Sequence, residues 1–184
     1  MNAPGRLDEA QRDAVKEVGN IGAGHAATAL SQLIGKKVTI TVPRVLSLPL
    51  SEVCGLVGGP QTLVAGVAMH VLGDVSAKIV LVLPRESAVH LAALMTHQNV
   101  EARQILTSLE HSAIKEAGNI LAGAYLNALT EFLGMLLLQS VPQLIFDLAE
   151  AVMAELAKGM LGTTEALCIE TSLAETSPLI TGHF

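Results

Sequence analysis

A carboxylate and a carboxamide stand three residues apart at Glu17 and Asn20, and the same pair recurs at Glu116 and Asn119. On a helix, that spacing puts both side chains of a pair on one face. Neither pair has a nucleophile–base couple or a metal-binding cluster near it in sequence. An Asn amide has no usable basic lone pair near neutral pH, so it does not serve as a general base. It does accept and donate hydrogen bonds, and so can hold a water. Positioning water for in-line attack on a phosphoryl group is work that a carboxamide performs in GTPases. A lone surface carboxylate and carboxamide achieve little on a free small molecule, but they can complete an active site that a partner supplies.

The stretches that carry the pairs are two copies of one unit. DAVKEVGNIGAGHAATALS at Asp13–Ser31 is echoed 99 positions later by SAIKEAGNILAGAYLNALT at Ser112–Thr130, and 11 of the 23 positions in 13–35 match 112–134. An internal repeat is an architectural signal. Each copy has helix punctuation at the same offset. Asp8 with Gln11, and Thr107 with Glu110, read as capping boxes, and Gly35 and Gly134 read as C-caps. In a helical projection Asp13, Glu17, Asn20 and Gly24 share a narrow sector. The apolar stripe Val15, Val18, Gly22, Ala26, Ala29 and Leu33 lies opposite. The second copy sets Ser112, Glu116, Asn119 and Gly123 against Ile114, Ala117, Leu121, Tyr125, Ala128 and Phe132. With the stripes on a sheet, both Glu–Asn edges face solvent. Gly22, on the stripe, is expected to permit close packing; Gly24 suits packing or access for a partner equally. A single ExxN is ordinarily a solvated helix face. Two copies in matched register weaken that reading, and spacing alone leaves both standing.

Composition narrows the classes. Hydrophobic residues make up 51% of the 184 and charged residues 15%, so a packed core is expected rather than disorder. With no Trp, one Tyr and three Phe, that core must be aliphatic. Mean hydropathy is +0.51, which raises the question of a membrane span. The longest apolar candidate, Phe132–Phe146, is too short and is interrupted by Gln139, Ser140, Pro142 and Gln143. The N-terminus has no apolar signal region, and Cys54 and Cys168 form no CxxC. A reduced, cytoplasmic protein is the simplest expectation, although sequence does not exclude a disulfide. A net charge of −6 and the lack of a basic block argue against a nucleic-acid partner. Glu86, His90 and His97 do not make a metal motif, and GNIGAG lacks the order and preceding strand of a nucleotide loop.

Residues 1–6 read as a frayed tail. Lys37–Leu46 reads as a strand, Leu50–Pro60 as a loop or short helix, and Thr62–Val71 with Ala77–Leu83 as two strands turning at Gly73-Asp74. Arg85–Thr96 is a short helix. In the second copy Met135–Val141 reads as a strand, Asp147–Lys158 as a helix, Glu165–Ser172 as a strand and Leu179–Phe184 as the start of another. The expected architecture is α+β: a duplicated, pseudo-two-fold α/β sandwich with two long helices packed on a β-sheet. The halves are about 7–97 and 106–184, and the second stops before a counterpart of helix 85–96. The polar break His97–Arg103 is short, which favours one domain with a shared sheet.

The pattern Asp/Ser-x3-Glu-x2-Asn-x22-Pro is met by Asp13, Glu17, Asn20 and Pro43, and again by Ser112, Glu116, Asn119 and Pro142. With the string KEVGNIGAGHAATALSQLIG, the chain resembles the CheC/CheX/FliY family of chemotaxis phosphatases, nearest to the CheC pattern. The resemblance spans nearly the whole chain. It implies hydrolysis of the aspartyl-phosphate of the response regulator CheY. Asn20 and Asn119 would orient the attacking water, while Glu17 and Glu116 would anchor each helix on the regulator, through one of its lysines. Mg²⁺ would belong to the regulator, with no cofactor on this chain. The deamidase CheD is a further partner of such proteins that spacing does not map. Pro43 and Pro142 fit a strand-shaping role. The competing readings are a non-catalytic adaptor that binds phosphorylated regulator or regulates CheD, and a structural homo-oligomer component.

Overall fold

Capping fixes both ends of the long helices. A computed structural model describes residues 7–98, 107–158, 165–174 and 179–184. In chain order the elements are α1 (Glu9–Ile34), β1 (Thr39–Thr41), β2 (Val45–Pro49), α2 (Val53–Leu56), β3 (Leu63–Gly73), β4 (Ala77–Pro84), α3 (Arg85–Thr96), α4 (Ser108–Leu133), β5 (Leu137–Gln139), β6 (Gln143–Leu148), α5 (Ala149–Ala157), β7 (Glu165–Ala174) and β8 (Ile180–His183). Asp8 Oδ1 accepts from the Gln11 backbone N–H at 2.8 Å, and Gln11 Oε1 accepts from that of Asp8 at 2.9 Å. Thr107 and Glu110 make the same reciprocal box on α4. Gly35 and Gly134 close the two helices at φ of 70° and 66°, the left-handed conformation in which a side chain would be strained. The frayed tail and residues 99–103 of the polar break lie outside the described residues.

The eight strands make one sheet in the order β1-β7-β8-β4-β3-β5, with β2 on β7 and β6 on β3, and every pairing is antiparallel. The repeat offset equates β4 with β8, and these two pair at the centre, Val82 against His183. An approximate two-fold axis therefore passes between them. Each half gives its first two strands to the other: β1 and β2 pair with β7, while β5 and β6 pair with β3. The sheet is shared in this strong sense, and neither half closes its own edge.

Alternation along β3 divides the core. Ala65, Val67 and Met69 face α1, α3 and α4 in the main cluster with Leu30, Leu91 and Leu121. Val64 and Ala68 point the other way, toward Val152 and Leu156 of α5. Helices thus cover both faces of the β3–β4 region.

Several expected elements change. The strand over Lys37–Leu46 is two strands, parted at Val42–Arg44 around Pro43. The one expected over Met135–Val141 is only Leu137–Gln139, and its break falls at Pro142. Proline has no N–H to donate to a ladder, so each ladder breaks there and resumes on the same partner strand one residue out of register. The helix expected over Asp147–Lys158 begins at Ala149. Ahead of it, Gln143–Leu148 forms β6, a strand whose apolar run carries no clear period. The stripes also rotate near their ends. On α1 the buried residues are Val18, Gly19, Gly22, Ala23, Ala26, Leu30 and Ile34, whereas Leu33 is 45% exposed. On α4, Phe132 is 58% exposed. The cause is that each helix packs on its partner helix as well as on the sheet, which widens and turns the buried arc.

Candidate functional site

Glycine sets how deeply each long helix sits, and so how its Glu–Asn edge is presented. Gly19, just before Asn20, rests over Val42 and Ile169: a Cβ built there would meet them at 3.6 and 3.9 Å. Gly118, just before Asn119, is tighter, with a Cβ falling 2.7 Å from Val67 Cγ1. Between the helices, a Cβ on Gly22 would stand 2.7 Å from Tyr125 Cδ1 and 3.0 Å from Tyr125 Cα. Gly22 is therefore a helix–helix glycine. A Cβ on Gly24 would meet nothing within 4 Å, so this position lies open on the face of Asn20.

Tyr125 ties α4 to the far half of the sheet. Its hydroxyl hydrogen-bonds Thr171 Oγ1 at 3.1 Å, and its ring meets Phe184 edge-on at 5.0 Å. Burial raises the pKa of this hydroxyl, with the Thr171 bond acting against the shift. Nearby in β7, burial pushes the Cys168 thiol up to about 11, so it stays protonated and inert at neutral pH. Cys54 and Cys168 are both free thiols.

With the stripes so buried, the opposite edges emerge. Asp13, Glu17, Asn20 and Gly24 are all exposed on α1. On α4, Ser112 and Glu116 are exposed, while Asn119 and Gly123 are half-buried. The structure thus sets Glu17 beside Asn20 and Glu116 beside Asn119, one pair per helix, as the spacing anticipates. His25 is exposed on α1, and the ring of His90 is turned back to the Glu86 carbonyl at 2.9 Å. Among the described residues, no three His, Cys, Asp or Glu side chains gather as metal ligands would.

The edges differ in their surroundings. Over the second lies a cleft of about 530 Å³ lined by Ser112, Lys115, Glu116, Asn119 and residues 139–142. Its far wall is the break between β5 and β6. Ser140 holds that break to β3, donating its N–H to the His70 carbonyl at 2.9 Å and accepting from the His70 N–H at 3.0 Å. Asp74 pins the start of β5 by accepting from the Leu136 N–H at 2.8 Å. Gln139 reaches from β5 onto α4, where its Nε2 donates to Asn119 Oδ1 at 2.7 Å and to the Asn119 carbonyl at 3.1 Å. Among the described residues, the Asn20 side chain has no such bond. The repeat offset aligns Gln139 with Ile40, which is buried in the core at 7% exposure.

Sequence reasoning missed Gln139, and with it the cleft wall at Ser140 and Val141. The only signal was indirect: Pro142 marks a strand break three residues after Gln139. Also missed was Ile21, 46% exposed next to Asn20, an apolar side chain bare on the same helix as the polar edge.

A model of the CheC-like family matches residues 11–47 and 109–145, so each matched segment holds one Glu–Asn pair and its proline. The chain is 32% identical to the CheY-P phosphatase CheC of Bacillus subtilis (strain 168) over 177 residues, 93% of this chain and 83% of that protein. Against the flagellar motor switch phosphatase FliY of the same organism, identity is 32% over 118 residues, 64% of this chain but only 31% of that longer protein. Among solved structures, Thermotoga maritima FliY superposes with a TM-score of 0.81 at 24% identity, over 96% of this chain and 89% of that one. The chain belongs to the CheC-like family.

Proposed function

We propose that this protein hydrolyses the aspartyl-phosphate of the response regulator CheY, using two surface centres, Glu17–Asn20 and Glu116–Asn119. The observation that carries this reading is the outward placement of both pairs on the two long helices. The similarity to a CheC named as a CheY-P phosphatase supports the choice of substrate.

Each group has a chemical part. The regulator brings the phosphorylated Asp and its Mg²⁺, and that metal neutralises charge on the phosphoryl oxygens. One carboxylate and one carboxamide per edge are too sparse a donor set to hold the metal on this chain. Asn20 or Asn119 enters beside the phosphoryl group, where its amide fixes one water in line with the bond to be broken. Water oxygen bonds to phosphorus as the acyl–phosphate P–O bond breaks. The products are the Asp carboxylate and inorganic phosphate, and the water's proton passes to phosphate or solvent rather than to the amide. Glu17 or Glu116, on the same face, pairs with a regulator lysine and sets the depth of insertion. That work belongs to binding, so its loss should appear in KM. Changing both Glu17 and Glu116 to Gln is expected to raise KM for phosphorylated CheY about 10-fold with kcat within about twofold. Steady-state phosphate release across regulator concentration checks this. An unchanged KM would remove the anchoring role.

A further inference from the structure

The second centre contains a group that the first lacks, and its geometry bears on the reacting amide. Gln139 Nε2 lies 2.7 Å from Asn119 Oδ1 and also donates to the Asn119 backbone carbonyl. A free Asn side chain turns about its last torsion, which is broad and two-fold, and so presents either oxygen or nitrogen to a given point. A donor held against one end removes that ambiguity. It commits one lone pair of Oδ1, aims the other lone pair along a set direction, and leaves the Nδ2 hydrogens pointing away from Gln139.

The donor is itself held. Val71 and Gln139 are paired in the β3–β5 register, and Ser140 is bonded twice to His70 immediately after it. Its Oε1 is buried without a partner among the described residues, a costly arrangement that leaves an acceptor beside Asn119. A Cβ on Gly123 would stand 3.4 Å from Gln139 Nε2, so the small residue one turn after Asn119 leaves space for this side chain. At the first centre, the aligned Ile40 is in the core, and Gly24 has open space where Gly123 has Gln139.

We infer that Gln139 is a positioning residue for the Asn119 centre: it locks the Asn119 amide in the orientation that holds the hydrolytic water, and it acts at that centre alone. This rests on the phosphatase reading of the two edges. In this role Gln139 acts through the Asn119 amide rather than on the regulator's binding surface, so its loss should lower kcat and spare KM.

The test isolates each centre in the full-length chain. In an Asn20→Ala background, where turnover runs through Asn119, Gln139→Leu is expected to lower kcat for phosphorylated CheY about 5-fold with KM unchanged. In an Asn119→Ala background it should bring no further loss. Gln139→Glu is a second variant of nearly the same shape that puts an acceptor where the donor was. It should lower kcat at least as far as Gln139→Leu does. Side-chain amide NMR of the free protein gives a readout independent of activity. The Asn119 Nδ2 protons should be shifted away from solvent-exposed values and return toward them in Gln139→Leu, while those of Asn20 stay put. Equal losses in both backgrounds, an undiminished kcat in the first, or Asn119 resonances that ignore the substitution would each overturn the inference. If the single-centre variants show Asn119-dependent turnover that ignores Gln139, only this inference falls. If turnover ignores both asparagines, the phosphatase reading falls, and unmoved amide resonances would remove the clamp separately.

Discussion

Replacing Asn20 and Asn119 together by alanine is expected to cut the dephosphorylation of CheY by at least ~10-fold, while the fold stays intact. The loss follows from the part the proposed mechanism gives the amides. In that mechanism a water still reaches the phosphoryl group without them, but it loses the group that holds it in line. The fold should survive because neither side chain supports the core. Asn20 is exposed, and its side chain makes no hydrogen bond among the described residues. Asn119 gives up one bond to Gln139, whose Nε2 keeps the backbone carbonyl of residue 119. Alanine also favours a helix interior over asparagine by a few tenths of a kcal/mol, roughly, at each position. Decay of phosphorylated CheY, read beside thermal unfolding of the same samples, separates the two effects. A double variant as fast as its parent would show that the amides are bystanders.

The second large effect is on the helix pair that holds both edges. Gly22→Val should destabilise the protein by about 3 kcal/mol or more. The Cβ alone would sit 2.7 Å from Tyr125 Cδ1, 3.0 Å from Tyr125 Cα and 3.2 Å from the Ala124 carbonyl oxygen. Two of those three atoms are main chain, so no change of rotamer relieves the clash. α1 and α4 must part, and Tyr125 then loses its fit between Thr171 and Phe184. Gly24→Ala, two residues on, faces open space and should be neutral or stabilising by up to about 1 kcal/mol. Urea unfolding midpoints at constant slope measure both. Equal stability of Gly22→Val and its parent would contradict the close helix crossing.

What could be read from the sequence was what local chemistry dictates. Asp8, Gln11, Thr107, Glu110, Gly35 and Gly134 marked the helix ends because capping involves neighbours three or four residues away. Gly73-Asp74 marked the β3–β4 turn for the same reason. The Glu–Asn edges could be faced outward because a helix has a fixed period. Features set by distant contacts stayed hidden. Leu33 looked interior on α1, but the helix also packs on α4, and Leu30 and Ile34 took its place. β6 hid in an unpatterned apolar run. The exchange of strand pairs between halves could not be deduced, because a repeat discloses symmetry but not which copy supplies a neighbouring strand. Gln139 was invisible as a site residue for the same reason: β5, paired to β3 of the other half, carries it onto Asn119.

On the proposed function these edges turn over a phosphoryl group rather than simply grip a phosphorylated partner. The most direct measurement is the lifetime of phosphorylated CheY in Mg²⁺ with this protein at a small fraction of the regulator's concentration. A shortened lifetime and many phosphates released per protein molecule are expected. A lifetime unchanged at concentrations where the two proteins form a complex would contradict that function, and would make the chain an adaptor instead.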